Sequence, residues 1–187
     1  MSEEKKGFQI SIRYLLLPLL IAIIVFVVYL MNYLGAFRPV VIQEKKAGPF
    51  HLVYKTHVGP YHKIVPVIEE VEKWAKEQGL SCKLSFGEYL DSPSQTEEAR
   101  LRSNGGCLLE NPPVQIPEGF QAKTIEEKNY VTAKFEGSPG IGPMKVYPKV
   151  YQYASEQRLR LEEAVLEVYE IHSQESMTTT YYFPIRR

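Results

Sequence analysis

The chain has 187 residues, and its 22 Lys and Arg residues are balanced by 22 Asp and Glu residues, so the formal net charge is zero. This balance provides no basic surface field, and no nucleic-acid partner is expected. The two cysteines, Cys82 and Cys107, are too few for a disulfide framework or a zinc site. They could pair in an oxidising compartment, but two free buried thiols are expected.

The first element, after a short N-terminal segment (residues 1–13), is an uncharged apolar stretch over residues 14–37. As a helix it would span about 36 Å, enough to cross a bilayer. A cleaved signal peptide is the alternative, but the stretch is longer than a typical signal-peptide core and no clear cleavage site follows. The sequence therefore predicts a single-pass protein of a bacterial inner membrane or an endomembrane. Basic residues flank both sides, so the side of the soluble domain stays open, with a slight preference for a cytoplasmic N-terminus.

Residues 38–49 are predicted to be a juxtamembrane linker, and residues 50–187 one domain with two similar halves, at about 50–110 and 129–187. Strand-forming residues and helical apolar spacing predict a strand, a helix and two strands in each half. The first half has these elements at Phe50–His57, Ile64–Ala75, Cys82–Leu90 and Gly106–Glu110. The second half has them at Asn129–Phe135, Val146–Ala154, Ala164–Ile171 and Thr179–Ile185.

The two halves repeat each other at a nearly constant offset. Trp74-Ala-Lys-Glu-Gln-Gly-Leu80 recurs as Tyr153-Ala-Ser-Glu-Gln-Arg-Leu159, 79 residues later, and Phe86-Gly-Glu-Tyr89 recurs as Leu166-Glu-Val-Tyr169, 80 residues later. An offset sustained over several elements predicts two copies of one β-α-β-β unit, related by a pseudo-twofold axis. The seam between such copies is a natural place for a ligand groove.

Several segments, taken together and in order, resemble the GyrI-like domain, also known as the effector-binding or small-molecule-binding domain. They are Val53-Tyr-Lys-Thr-His-Val-Gly-Pro-Tyr61, Ile116-Pro-Glu-Gly-Phe120, Tyr130-Val-Thr-Ala-Lys-Phe-Glu-Gly137, Leu166-Glu-Val-Tyr169 and Tyr182-Phe-Pro-Ile185. The resemblance implies an α+β fold of two β-α-β-β halves similar to SH2 cores, with an antiparallel sheet and two helices.

An apolar segment followed directly by this domain is most similar to the membrane-bound branch of the family. That branch includes the testis-expressed ER-phagy receptor of animals, which adds a long disordered tail with an autophagy-interaction motif. No such tail follows the domain in this sequence, and the receptor function is therefore not expected to carry over.

The candidate ligand site is centred on Glu167. In drug-sensing members of the family, a buried acidic residue among aromatic side chains attracts lipophilic cations, and the resemblance implies this role for Glu167. Strand alternation places Leu166 and Val168 beneath the helices, and Glu167 and Tyr169 on the opposite, concave face. The other tyrosines expected to line the groove are Tyr89, Tyr147 and Tyr182.

Two observations weigh against a cation site. A glutamate on a strand is often simply exposed on a solvated face of an antiparallel sheet. Many family members carry an acidic residue on the last strand, whereas Thr178-Thr-Thr-Tyr-Tyr182 is neutral here. A neutral strand favours a neutral ligand, or none.

The predicted function is non-enzymatic binding of a small lipophilic or cationic molecule at a membrane. No nucleophile elbow, P-loop or zinc-protease motif occurs, and the four histidines lack metal-ligand spacing, so no catalytic residue, cofactor or metal is expected. One alternative is a protein-interaction scaffold with a vestigial groove, which would have a protein partner. A second is a hydrolase of reactive small molecules, with Glu167 as the base and Tyr169 as the orienting group.

Overall fold

A computed structural model describes residues 13–82, 84–111, 115–172 and 177–186. The chain forms two compact units, of which the first ends at Phe37 and the second begins at Arg38. The first unit holds helix α1 (Arg13–Tyr33). Residues Leu16–Tyr33 have a mean hydropathy of 2.4, so α1 is long and apolar enough to cross a membrane, although a signal sequence has the same properties.

The second unit is an α+β domain with an eight-stranded antiparallel sheet and two α-helices among its described residues. The helices are α2 (Val65–Glu77) and α3 (Gly142–Glu156). The strands are β1 (Val40–Ala47), β2 (Phe50–Val58), β3 (Leu84–Tyr89), β4 (Arg102–Leu109), β5 (Gln121–Ile125), β6 (Lys128–Glu136), β7 (Val165–Ile171) and β8 (Met177–Pro184). Their order across the sheet is β1-β6-β8-β7-β3-β4-β2-β5.

This strand order is symmetrical about the central β7–β3 pair. The first half of the chain contributes β1 to β4 and the second half β5 to β8, and equivalent strands stand at equal distances from the centre. The two edge strands are exchanged, since β1 pairs with β6 of the second half and β5 pairs with β2 of the first half. The β7–β3 seam between the halves therefore lies in the middle of the sheet.

Three strand assignments differ from those predicted from the sequence. Residues 38–49 were predicted to be a linker, but Val40–Ala47 form β1 and pair along their whole length with β6. Strand β5 was not predicted, and β4 begins at Arg102 rather than at Gly106. Neither edge strand has a buried residue, so both lack the alternation of apolar and polar residues from which a strand is recognised.

The two helices cover one face of the sheet. Helix α2 buries Ile68, Val71 and Ala75, which recur at helical spacing, and Val71 and Ala75 pack with Val53 of β2 and Cys107 of β4. A Cβ atom at Gly105 would lie 2.8 Å from Ile68, so this glycine allows the close approach of α2 to β4. Helix α3 packs in the same way on β6 and β8. This second cluster comprises Val131, Ala133, Phe135, Val146, Val150, Val165, Tyr181 and Phe183.

The other face of the sheet has a core of its own because the sheet is strongly curled. In a flat sheet β2 and β6 would be about 24 Å apart, at five strand spacings. The ring of Phe50 in β2 nevertheless lies 6.2 Å from that of Tyr130 in β6 and 5.1 Å from that of Tyr182 in β8. The buried apolar cluster on this concave face comprises Leu52, Tyr54, Phe86, Leu166 and Val168.

An ion pair between buried Glu88 and half-buried Lys123 also lies on the concave face. The Glu88 carboxylate accepts hydrogen bonds from Lys123 Nζ at 2.5 and 2.6 Å and from Asn104 Nδ2 at 2.6 Å. Thr56 in turn donates to the side-chain oxygen of Asn104 at 3.0 Å. Because every polar group in this network has a partner, its charges are compensated, and Lys123 holds the edge strand β5 to the centre of the sheet.

The expectation of two free thiols is wrong. Cys82, just after α2, and Cys107, in β4, form a disulfide with Cα atoms 5.4 Å apart. The two residues lie 25 positions apart, in segments brought together only when α2 packs on the sheet, so sequence spacing does not reveal the pairing.

Residues 38–187 carry all the elements needed for independent folding. The eight strands, the two covering helices and the three clusters of buried apolar side chains found among the described residues all belong to this unit. A fragment of residues 38–187 is therefore suitable for measurements in solution.

Candidate functional site

Glu167 lies at the centre of the sheet on the face that carries the helices, not on the concave face. Across three adjacent strands, Gly87 of β3 is opposite Glu167 of β7, which is opposite Tyr181 of β8. The predicted assignment of faces in β7 is thus wrong, since Leu166 and Val168 pack in the concave core. Strand β7 has apolar residues on both faces, so its alternation does not identify the face that meets the helices.

The Glu167 carboxyl group is buried between tyrosines. Its side chain is 4% exposed. Tyr147 of α3 donates a hydrogen bond to Oε1 at 2.9 Å, and Tyr169 of β7 donates to Oε2 at 3.3 Å. Among the described residues no Lys, Arg or His side chain forms an ion pair with Glu167. Burial raises the pKa of Glu167 from 4.5 to about 7, although the two tyrosine hydroxyls lower it.

The tyrosines form a chain of hydroxyl groups that leads to this carboxyl group. The Tyr89 and Tyr169 oxygens are 2.8 Å apart, and because the Tyr169 proton is given to Glu167, Tyr89 is the donor in this bond. Burial, followed by the nearby Glu167 charge, raises the pKa of Tyr89, Tyr147 and Tyr169. These phenols therefore stay protonated and act as hydrogen-bond donors at physiological pH.

Gly87 makes room for this chain of hydroxyls. A Cβ atom at this position would lie 2.9 Å from the Tyr169 oxygen and 3.0 Å from the Tyr89 ring. Any side chain at position 87 would therefore push the two tyrosines apart. Gly87 and Glu167 are paired across the central seam. One half of the sheet therefore contributes the carboxylate, and the other contributes a glycine that leaves room for Tyr89 and Tyr169.

The structure brings together four of the five predicted site residues: Glu167, Tyr169, Tyr89 and Tyr147. Tyr182 lies on the concave face, with its ring 5.5 Å from that of Tyr130 and beneath the Lys45 ammonium group at 5.6 Å. The neighbouring Tyr181 faces Glu167 instead and is fully buried. Phe183 packs against α3, and because alternate residues of a strand share a face, Tyr181 lies on the helix face with it.

Three buried hydroxyl groups around the site have no hydrogen-bond partner among the described residues: those of Ser103, Thr179 and Tyr181. Strand pairing places each beside a site residue, with Ser103 opposite Tyr89, Thr179 opposite Tyr169 and Tyr181 opposite Glu167. Thr179 is close enough to moderate the raised pKa of Tyr181, but the two oxygens do not meet hydrogen-bond geometry. Unsatisfied buried hydroxyls are costly, so these three oxygens are candidate partners for the polar groups of a ligand.

A surface cavity of about 510 Å³ adjoins Tyr169 at the C-terminal end of α2. Tyr169, Ser85 and Ile171 form its sheet side. The helix side is formed by Glu72, Lys76, Gly79, Leu80, Ser81 and Cys82. A second cavity, of about 620 Å³, is lined around the β5–β6 turn and shares no residue with the Glu167 site. In the part of the chain that the structure describes, no cluster of His, Cys, Asp and Glu side chains could hold a metal ion.

A buried carboxyl group among tyrosine hydroxyls, one of which also lines a surface cavity, has features of a small-molecule binding site. The model of the GyrI-like small molecule binding domain matches residues 40–186, and the chain therefore belongs to the GyrI-like family. A DNA gyrase inhibitor of Pectobacterium carotovorum subsp. carotovorum (strain PC1) is 36% identical over 62 residues, which cover 33% of this chain and 40% of that protein.

Three solved structures share this fold. EcmrR in a cryo-EM complex with DNA has a TM-score of 0.66 at 15% identity, covering 94% of this chain and 70% of that chain. The EcmrR C-terminal domain has a TM-score of 0.64 at 15% identity, and the match covers 79% of this chain and 98% of that domain. SAV2435 bound to tetraphenylphosphonium has a TM-score of 0.54 at 13% identity, and the match covers 78% of this chain and 94% of that chain. Identities this low show a common fold and nothing further.

Proposed function

We propose that the domain binds lipophilic organic cations without catalysing a reaction, and that Glu167 is the counter-ion of the ligand. The observation that carries this proposal is a buried carboxyl group whose hydrogen-bonding neighbours, among the described residues, are tyrosine hydroxyls and no cationic side chain. A buried carboxylate without a positive partner is costly, and a ligand cation offsets that cost. The tetraphenylphosphonium bound to SAV2435, a protein of the same fold, supports the choice of ligand class.

The tyrosines contribute to the same selectivity. The faces of Tyr89, Tyr147 and Tyr169 offer negative electrostatic potential to a cation, and their rings offer apolar surface to its substituents. Cation–π contacts contribute roughly 1–2 kcal/mol when the ring and cation are desolvated. The sequence of the last strand is neutral, which by itself argues against a cation site. The negative charge that a cation needs is nevertheless supplied by Glu167 in β7.

Binding of a permanent cation should depend on pH through Glu167. The pKa of Glu167 is about 7 in the free protein, and a cation favours the ionised form. Tetraphenylphosphonium affinity should therefore be constant above pH 8 and fall by about tenfold per pH unit well below 7, because a proton must first be released. Isothermal titration of residues 38–187 between pH 5 and 8.5 measures this dependence.

Glu167→Gln should lose most of the affinity and the pH dependence, whereas Glu170→Gln, at an exposed position on the same strand, should keep both. Equal affinities in wild type and Glu167→Gln would refute the assigned counter-ion. An absence of binding by any cation would refute the proposed function and favour the interaction scaffold, for which capture of a protein partner would be the next measurement.

We also propose that α1 anchors the domain in a membrane as a single-pass helix. Its length and mean hydropathy support this role. The full chain should remain in the membrane pellet after alkaline carbonate extraction, and residues 38–187 alone should be released. Recovery of a mature chain that begins after α1, as determined by mass spectrometry, would show instead that the segment is a cleaved signal sequence.

The symmetrical strand order supports a further proposal, that the two halves are copies of one SH2-like unit. Superposition of residues 40–109 on residues 121–184 tests it. Backbones that overlay strands and helices in the same order would support duplication, and a displacement of α2 from α3 by a helix diameter would reject it.

A further inference from the structure

We propose that the ligand is a protonated amine with an apolar arm: its N–H groups bind in the Glu167 site, and its arm occupies the cavity at the end of α2. This inference rests on the proposed function and narrows its ligand class. Three structural features carry it, namely the unpartnered hydroxyls, the double role of Tyr169 and the composition of the cavity.

The unpartnered hydroxyls are suited to N–H donors. Thr179 and Tyr181 are 1% and 0% exposed, and their oxygens can accept hydrogen bonds that none of the described residues supplies. An ammonium group has three N–H donors, which is enough for Glu167 and both hydroxyls. A quaternary ammonium satisfies the charge of Glu167 but has no proton for the hydroxyls, which would remain buried without partners.

Tyr169 stands between the carboxyl group and the cavity. Its side chain lines the cavity, while its hydroxyl donates the longer of the two hydrogen bonds to Glu167, at 3.3 Å. An N–H group of the ligand can replace this bond. Rotation of Tyr169 away from Oε2 would then connect the buried site with the cavity, without displacing Tyr147 from Oε1.

The cavity is suited to an apolar arm. Leu80 and Ile171 line it on its two sides, and Ile171, two residues along β7 from Tyr169, is 67% exposed. Glu72 and Lys76 carry opposite charges at its helix side, so the cavity has no strong net charge of its own. Its volume of about 510 Å³ falls within the range of small-molecule sites.

The headgroup is tested with a matched pair of ligands, octylammonium and octyltrimethylammonium, at pH 8 on residues 38–187. Octylammonium should bind at least about tenfold more tightly, as expected for a hydrogen bond to a charged donor. Thr179→Val, which replaces an unpartnered hydroxyl by a methyl group, should reduce this preference severalfold and leave octyltrimethylammonium binding unchanged. The control is Thr178→Val, since Thr178 is equally buried on the other face and its hydroxyl is paired with His172.

The arm is tested by chain length. Octylammonium should bind more tightly than butylammonium, by up to about fourfold per added methylene. Ile171→Ser should reduce this gain, whereas Val58→Ser, at a similarly exposed strand position outside the cavity, should not.

Equal affinities for the two octyl ligands in wild type, or an unchanged preference in Thr179→Val, would overturn the proposal. If tetraphenylphosphonium binds in a Glu167-dependent manner while octylammonium does not, the amine assignment fails and the proposed function stands. If neither ligand binds, both fail.

Discussion

Replacing Glu167 with glutamine is expected to stabilise the domain above neutral pH, even though it removes the proposed ligand site. In the folded state burial raises the pKa of Glu167 from 4.5 to about 7. The folded state therefore binds this proton more tightly than the unfolded state, and the free energy of unfolding falls as the pH rises from about 4.5 to 7. At about 1.4 kcal/mol per pKa unit, the ionised side chain costs roughly 3 kcal/mol above pH 7.

Glutamine has nearly the same shape and no charge, so its free energy of unfolding should not fall over this pH range. Urea unfolding of residues 38–187 at pH 5 and pH 8 measures the difference. Wild type and Glu167→Gln should be similar at pH 5, and the variant should be more stable by up to about 3 kcal/mol at pH 8. Lower stability of the variant at pH 8 would show that the ionised carboxylate is favourable in the folded state.

Glu88→Gln is the matched control, because Glu88 is also a buried glutamate near the centre of the sheet. Its carboxylate is compensated by Lys123 and Asn104, so its neutralisation should destabilise the domain instead. Opposite signs for the two substitutions would separate a carboxylate reserved for a ligand from one that stabilises the fold.

Loss of the Cys82–Cys107 disulfide should have a destabilising effect of similar size. The bridge closes a loop of 25 residues, and the chain-entropy relation gives about 3.5 kcal/mol for a loop of this length. Cys82→Ala combined with Cys107→Ala should therefore lose about 3 kcal/mol in guanidinium unfolding of residues 38–187. A further small loss is expected because Cys107 is fully buried beside Val53 and Val71.

Reduction of the wild-type chain offers a control without substitution. The unfolding midpoint of the wild type should fall in dithiothreitol, whereas that of the double variant should not change. If mass spectrometry shows full reduction and the wild-type midpoint is unchanged, the bridge does not contribute to stability.

The central elements could be predicted from the sequence, and the edges could not. Helices α2 and α3 and strands β2, β3, β7 and β8 have clear apolar patterns because each buries one or both faces. Strand β1 contains Glu44, Lys45 and Lys46, charges that protect an exposed edge from pairing with other chains. The same charges remove the apolar alternation, so β1 was interpreted as a linker.

The candidate site was predicted in its residue types and wrongly in its position. Glu167, Tyr169, Tyr89 and Tyr147 do meet, but they meet under the helices rather than on the concave face. Because both faces of the sheet carry apolar cores, polarity alone cannot show which face meets the helices. An error of this kind moves every side chain of a strand to the other face, and for this reason the sequence predicts Tyr182 rather than Tyr181 at the site.

The exchange of β1 and β5 makes the two halves of the chain interlocked. A fragment that ended between residues 111 and 120 would contain β1 without its partner strand β6. The remaining fragment would contain β5 without its partner strand β2. The backbone edge of β2 in one fragment, and that of β6 in the other, would lose its hydrogen-bonding partner. The two halves therefore cannot be taken apart one at a time: the domain is gained or lost as a whole, and the Glu167 site at its centre with it.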